Sequence, residues 1–197
     1  MDRRTMLRCL GAAALSPALN AAAGITCTPF YGGQTCNVGV DSAIADIVAS
    51  DTQHQSQWCW AACIETVFRY WGHPVRQERI VSDAWGGVVN LPGTPVQIMG
   101  SLNRRWIDDN NRIFTVTSDV YSANAATAIQ DLTAGMPLIV GSMGHAMVLT
   151  AMTYVQTMYG WNVNAAIVRD PWPGRGRRVL TPQEWYAMNF ASRIRIA

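Results

Sequence analysis

Apolar residues recur at helical spacing in the stretch that follows Trp58, namely at Trp60, Ile64, Val67, Phe68 and Trp71. This spacing places the apolar side chains on one face of a helix, which is the pattern of a helix packed against a core. Gly72-His73-Pro74 contains residues that end helices. We therefore predict a buried helix over residues 58–71, with Cys59 in its first turn.

Weaker patterns predict shorter helices in the same part of the chain. They cover 41–49, 76–82 and 95–106, and a loop rich in glycine and proline at 86–93 lies between the last two. Because helices dominate residues 41–111, we expect this stretch to form a helical N-terminal lobe.

The character of the chain changes at Arg112, after which short apolar runs predominate. These runs predict strands over 113–117, 137–141, 146–155, 161–169 and 190–196. Strands this closely spaced are expected to pair as an antiparallel sheet, which would form a second lobe over about 112–197.

Two helices are expected among these strands. Ser122 is a suitable N-cap for an alanine-rich helix over 122–134. Thr181 and Glu184 have the spacing of a capping box, with proline in the first turn, and predict a helix over 181–188. Helices followed mostly by strands indicate an α+β fold for the domain at 41–197.

The first 23 residues have the pattern of a signal peptide. Arginines precede an apolar, alanine-rich run over Cys9–Leu19, and Ala21-Ala22-Ala23 permits cleavage before Gly24. The pair Arg3-Arg4 resembles a twin-arginine signal, so both this route and the general secretory route stay open. We expect an exported protein that is periplasmic or secreted.

The formal net charge of the chain changes once the predicted signal peptide is removed. The full chain carries a formal net charge of +2, and the excess of basic residues lies in the signal. A neutral product lacks the positive field that binding to nucleic acid or to an anionic membrane requires. The cluster of Arg175, Arg177 and Arg178 lies in a glycine-rich stretch and is expected to be a solvated turn. We therefore expect neither type of partner. We also expect a monomer.

Of the five cysteines, Cys9 belongs to the signal. Cys27 and Cys36 flank a segment without helical or strand periodicity, which predicts a loose N-terminal arm over 24–40 clamped by a local disulfide. Cys59 and Cys63 remain in the domain, and Cys63 is expected to be a buried core thiol or a disulfide partner.

Three residues are candidates for chemistry. A thiolate is stabilised at a helix N-terminus, which is where Cys59 is expected, although a small buried core residue is an equally good interpretation of this cysteine. His145 opens a predicted strand, and Asp170 ends the next one. If the two strands pair antiparallel, the carboxylate can orient the imidazole.

The residues around Cys59 carry a family resemblance. Gln53, five intervening residues and then Trp58-Cys59-Trp60-Ala61-Ala62 resemble the active-site motif of papain-like cysteine peptidases. The resemblance is to their compact bacterial branch, which includes staphopains and secreted plant-pathogen effector proteases. Gly144-His145-Ala146 and Asp170-Pro171-Trp172 match the histidine and acid motifs of that branch in order.

This resemblance implies a papain-like fold and hydrolysis of a protein or peptide substrate without a cofactor. It implies that Cys59 is the nucleophile, His145 the general base and acid, and Asp170 the residue that orients His145. The Gln53 amide would donate to the oxyanion together with the Cys59 N–H group. Trp172 would shield the contact between histidine and carboxylate from water.

Other functions stay open at this point. Transglutaminase-like acyltransferases and cell-wall amidases use the same three residue types on papain-like folds. A non-catalytic secreted binding domain, with its eight tryptophans as contact surface, is a third interpretation. A zinc site drawn from His54, Cys59, Cys63 and His73 has poor tetrahedral spacing, so we expect no metal.

Overall fold

The structure is a computed structural model that describes residues 24–40, 52–121 and 124–197. The predicted signal peptide, the predicted helix over 41–49 and the proposed cap Ser122 lie outside these residues. The helices are α1 Cys59–Tyr70, α2 Gln77–Trp85, α3 Pro95–Ser101, α4 Ala125–Thr133 and α5 Pro182–Tyr186. The strands are β1 Gly24–Phe30, β2 Gly33–Gly39, β3 Arg104–Ile107, β4 Ile113–Tyr121, β5 Leu138–Ser142, β6 His145–Thr157, β7 Gly160–Asp170, β8 Gly176–Val179 and β9 Met188–Ile196.

All of these strands belong to one antiparallel sheet built around β6. One edge of β6 pairs with β5 over its first residues and with β2 over its last, while the other edge pairs with β7. From β5 the sheet continues through β9 and β4 to β3, from β2 to β1, and from β7 to β8. The start of β6 and the end of β7 therefore lie side by side.

The central strands are buried on both faces, which explains their continuous apolar runs. In β6, Val148 packs into the cluster beneath α1, α2 and α3, whereas Met147 and Leu149 pack into a second cluster with α4. Because side chains alternate between the faces of a strand, such a run needs a cover on each side. The α+β interpretation agrees with this arrangement, although the fold is richer in strands than predicted.

The N-terminal arm is not a loose loop. Residues 24–39 form the hairpin β1–β2, and β2 pairs with the half of β6 that lies away from His145. Cys27 and Cys36 are directly opposed in this hairpin and form a disulfide. The polar and glycine-rich composition of the hairpin hides its strand pattern, because β1 is almost entirely exposed and lacks a buried face.

Two further predictions need correction. The helix expected over 95–106 ends at Ser101, and Arg104–Ile107 forms a strand whose Trp106 is buried against the core. The helix expected from Ser122 begins at Ala125 with Asn124 as its cap, because the Asn124 side chain accepts a hydrogen bond from Ala126 N–H. No helix among the described residues has the length and apolar character needed to cross a membrane.

We predict that the Cys27–Cys36 disulfide stabilises the fold. It closes a short loop and holds Cys36, which is fully buried, in the core. A Cys27→Ala/Cys36→Ala variant should lose about 2–3 kcal/mol of unfolding free energy in urea denaturation. Reductant should destabilise the wild type and leave the variant unchanged. Equal unfolding free energies for the two proteins would show that the hairpin is held by its strand pairing alone.

Candidate active site

Cys59 is the first residue of α1 and is partly exposed. The helix is anchored by Ile64, Val67 and Phe68, which are fully buried and contribute roughly 1.5–3 kcal/mol each through burial. Within this fully described helix, the first turn holds no acidic residue and Trp58 supplies no side-chain cap. The positive end of the helix dipole therefore faces the thiol without competition from a carboxylate.

The surroundings of Cys59 favour its thiolate. Burial raises the pKa of the Cys59 thiol, but the hydrogen bond with His145, backbone N–H groups of Ala146 and Trp60, and the imidazolium charge together lower this pKa below its ordinary value. Cys63, one turn further along α1, is fully buried, and burial raises its pKa well above the ordinary value. The two thiols of the domain thus differ in reactivity.

His145 is placed by a tight turn between β5 and β6. Ser142 pairs with His145 across the hairpin, and the intervening Met143 and Gly144 have φ angles of 52° and 78°. Positive φ at both central positions is the geometry of a two-residue turn that matches strand twist. The turn fixes the backbone from which the imidazole extends towards Cys59.

Asp170 ends β7, beside the start of β6. The antiparallel pairing expected from the sequence is observed, and Asp170 Oδ1 lies 2.7 Å from His145 Nε2. This contact leaves Nδ1 as the ring nitrogen available to Cys59. Trp172 N–H also donates to Asp170 Oδ1, at 2.9 Å, and the Asp170 side chain is fully buried.

The histidine and the carboxylate shift each other's pKa. Burial lowers the pKa of His145, but hydrogen bonds with Asp170 and Cys59 and the charges of both groups raise it to about 9. Burial raises the pKa of Asp170, whereas its hydrogen bonds from His145, Trp172 and Arg178 lower it to about 2. At neutral pH the site therefore holds an imidazolium between a carboxylate and a thiol with a lowered pKa.

Trp172 lies edge-on to His145, with 6.3 Å between ring centroids and an interplanar angle of 76°. The residue is 44% exposed, so the tryptophan is itself accessible to solvent. The role expected for it, exclusion of water from the contact between His145 and Asp170, stays a prediction.

Gln53 is a buried residue of an otherwise exposed loop, and it lies next to the residues that follow Asp170. Its main-chain N–H donates to Pro171 O at 2.8 Å. Its side-chain Nε2 donates to Gln55 O at 2.9 Å and to Ser56 O at 3.0 Å. The structure thus brings Cys59, His145 and Asp170 into contact, whereas the Gln53 amide nitrogen bonds its own loop.

A cleft of about 220 Å³ opens beside Cys59 and His145. Trp60 forms part of one wall, and both tryptophans that flank Cys59 hold the adjoining loop in place. Trp58 Nε1 donates to Val89 O at 2.8 Å, and Trp60 Nε1 donates to Leu91 O at 3.3 Å. Both indoles are buried and hold the loop over 86–93 against the start of α1.

Gly93 completes this wall. A Cβ atom at Gly93 would lie 2.4 Å from Cγ of Trp60, so only glycine allows the loop to lie against the indole. The sequence patterns did not predict these contacts, because an indole N–H donor leaves no periodic signal. The only available signal was the pair of tryptophans on either side of a cysteine.

The other histidines lie elsewhere. His54 Nδ1 lies 2.6 Å from Glu78 Oε1, and His73 Nδ1 lies 3.1 Å from Asp108 Oδ2. Within the described part of the chain, no group of three or more His, Cys, Asp or Glu side chains is arranged to hold a metal ion.

Comparison with known proteins identifies the family. The Peptidase_C39 like family matches residues 47–193. Among solved structures, the chain resembles the peptidase domain of Streptococcus ComA, a bi-functional ABC transporter involved in a quorum-sensing pathway. The sequences are 16% identical, the TM-score is 0.50, and the match covers 75% of this chain and 96% of that chain.

That likeness shows the fold, which is papain-like. No curated protein sequence matches the chain. The narrower resemblance to staphopains and their relatives stays a prediction. By the match over most of its length, the chain belongs to the Peptidase_C39 like family of cysteine peptidases.

Proposed function

We propose that this chain is an exported cysteine peptidase that hydrolyses peptide bonds through Cys59, His145 and Asp170. One observation carries the proposal: a thiol with a lowered pKa at a helix N-terminus is hydrogen-bonded to an imidazole whose other nitrogen lies 2.7 Å from a buried carboxylate. The narrower assignment to the compact bacterial branch rests on the cysteine, histidine and acid motifs, of which the motif around Cys59 is the specific one.

In the proposed mechanism, the reactive form of the site pairs a Cys59 thiolate with a His145 imidazolium. The thiolate attacks the carbonyl carbon of the substrate, and a C–S bond forms as the carbonyl oxygen becomes an oxyanion. His145 then gives its proton to the leaving amine, and the C–N bond breaks to release it. A thioester between Cys59 and the acyl part of the substrate remains.

Hydrolysis of the thioester uses the same groups in reverse. His145, now neutral, takes a proton from water, and the resulting hydroxide attacks the thioester carbonyl. The C–S bond breaks, and the thiolate and imidazolium are restored. Asp170 keeps the imidazole in the orientation that serves both steps and stabilises its positive form.

The oxyanion needs hydrogen-bond donors. The N–H group of Cys59 begins α1, where N–H groups have no partner within the helix, and it is therefore a suitable donor. Gln53 can be a second donor if its amide nitrogen turns away from the main-chain oxygens of Gln55 and Ser56 when substrate binds. The buried Oε1 of Gln53 has no hydrogen-bond partner among the described residues, so the resting amide is incompletely satisfied.

The cleft indicates the kind of peptide that fits. Its described lining contains no Arg, Asp or Glu side chain, and Trp60, Ile98 and Phe190 form apolar parts of it. Charged side chains would lose hydration there, and the described lining offers them no charged partner besides the Cys59–His145 pair. We therefore propose that residues beside the scissile bond are uncharged.

The proposal that the protein is exported rests on two features. The first 23 residues have the order of charges, apolar residues and small residues that is typical of a signal peptide. The Cys27–Cys36 disulfide is a bond that persists in oxidising compartments. Together they support a periplasmic or secreted location.

The proposed function predicts that Cys59→Ser abolishes both peptide cleavage and labelling by a thiol-reactive epoxide. Turnover should fall by at least about 10³-fold, because the serine hydroxyl lacks the low pKa of the thiol. Cys63→Ala is the matched control, since it removes the other thiol of the domain and should retain both activities. Assays use a peptide library with and without added amine.

Release of free carboxylate products supports a peptidase. Amine incorporation without hydrolysis would show an acyltransferase instead. Failure of the wild-type protein to react with the epoxide would contradict any function that depends on a Cys59 nucleophile.

We further predict that Gln53→Ala lowers kcat by about 10²–10³-fold and leaves KM nearly unchanged, because an oxyanion donor acts in the transition state. Gln55→Ala is the control, as it removes a neighbouring exposed amide of the same loop. Steady-state kinetics and thermal unfolding are measured for both variants. A folded Gln53→Ala protein with wild-type kcat would exclude Gln53 from the oxyanion site.

A further inference from the structure

The buried carboxylate of Asp170 is held from two sides. Its Oδ1 faces His145 and Trp172 N–H, whereas its Oδ2 accepts a hydrogen bond from Arg178 Nε at 2.8 Å. Arg178 lies in β8, which pairs with β7. This pairing places the guanidinium on the side of Asp170 that faces away from the imidazole. The expectation that Arg178 belongs to a solvated turn is wrong, since its side chain is only 19% exposed.

The guanidinium of Arg178 is shared between two carboxylates. Its Nη1 and Nη2 donate to Glu184 Oε2 and Oε1 at 2.8 and 2.6 Å, in the parallel geometry that suits this planar group. Nη2 also lies 3.1 Å from Met147 Sδ, in the strand that begins with His145. With all three nitrogens engaged, Arg178 has little freedom to turn away from Asp170.

Glu184 is in turn fixed by the start of α5. Thr181 N–H donates to Glu184 Oε2 at 2.8 Å, and Thr181 Oγ1 accepts from Glu184 N–H at 3.2 Å, which is the predicted capping box. The Ser142 hydroxyl donates to Glu184 O at 2.6 Å. Because Ser142 pairs with His145, α5 is linked both to the turn that places the histidine and to the carboxylate that orients it.

The charges around Asp170 and His145 give Glu184 a role. Arg178 alone would oppose the attraction between Asp170 and the imidazolium, because its positive charge lies against the same carboxylate. Glu184 offsets that charge through the same guanidinium. Hydrogen bonds to Arg178 lower the pKa of Glu184 to about 2, so it stays ionised over the range in which His145 titrates.

Other charged or titratable groups face the site from two more elements. Arg175, from the loop before β8, has Nη1 3.6 Å from Asp170 Oδ2, but its side chain is 54% exposed and its charge is screened by water. Cys59 and Cys63 approach from α1, and Cys63 stays neutral because burial raises its pKa. Glu184 is therefore the anion that balances Arg178.

We propose that Arg178 and Glu184 are positioning residues of the active site. Arg178 fixes Asp170 against His145, and Glu184 neutralises Arg178 so that the carboxylate still stabilises the imidazolium. The inference rests on the proposed function for the roles of Cys59, His145 and Asp170. It adds two residues that lie outside the cleft lining and act through Asp170.

Glu184→Gln tests the charge balance with little change in shape. Glutamine retains a side-chain oxygen that can complete the capping box, but the negative charge is lost. The pKa of His145, about 9 in the wild type, should fall by about one unit in an NMR titration of the imidazole signals. The chain has only three histidines, so His54 and His73 serve as internal references.

Asp119→Asn is the matched control. It also removes one carboxylate from an arginine, since Asp119 Oδ2 lies 2.7 Å from Arg195 Nη1, but this pair is exposed and joins β4 to β9. The His145 titration should not move in this variant. An unchanged pKa of His145 in Glu184→Gln would overturn the proposed charge balance. A fall of the same size in Asp119→Asn would overturn it as well.

A pair of Arg178 variants tests the orientation of Asp170. Arg178→Gln should lower kcat by roughly 10²-fold, because the carboxylate loses its fixed partner and the imidazole its alignment. Arg178→Lys keeps the charge and one donor and should recover part of this loss. Wild-type kcat in folded Arg178→Gln would contradict the positioning role. If that variant does not fold, the Glu184→Gln titration alone decides.

Failure of the peptidase function and failure of the positioning role give different experimental results. The NMR titration needs no substrate, so a wild-type protein that cleaves no peptide would refute the peptidase function while the titration still decides on Glu184. A wild-type protein that cleaves peptides, combined with an unmoved titration in Glu184→Gln, would refute only the positioning role.

Discussion

The hydrogen bond between His145 and Asp170 determines the charge state of the whole site. Burial alone would lower the pKa of the imidazole, but contact with Asp170, together with Cys59, raises this pKa to about 9. The imidazolium in turn favours the thiolate of Cys59. Because β6 begins where its antiparallel neighbour β7 ends, sheet topology brings together two residues that lie 25 positions apart in the chain.

Rigid surroundings keep these groups in place. The apolar face of α1 anchors Cys59 over the sheet, and the indoles of Trp58 and Trp60 fasten the cleft loop to the same helix. On the other side, Arg178 connects Asp170 to α5. The nucleophile, the base and the acid thus lie on three separate elements, each tied to the core, as a preorganised site requires.

Periodicity predicted α1 and most of β4–β9, because long or fully buried apolar runs give a strong signal. It missed the hairpin β1–β2 and β8, and it assigned β3 to a helix. The exposed β1 and the short, arginine-rich β3 and β8 have no buried stripe that could give a signal. Motif resemblance predicted that Cys59, His145 and Asp170 would be functional residues. The partners of the site, such as Arg178 and Gly93, could not be predicted, because their contacts depend on how distant segments pack.

The most direct test of this account is the ultraviolet absorbance of the thiolate, titrated against pH in the wild type and in His145→Ala. We predict a wild-type thiolate that belongs to Cys59 and persists well below the pH of about 8.5 at which an ordinary cysteine ionises. In His145→Ala, burial should dominate and move the titration above that pH. A wild-type thiolate that forms only near pH 8.5 or higher, or a titration unchanged by loss of His145, would contradict the ion pair on which the proposed chemistry depends.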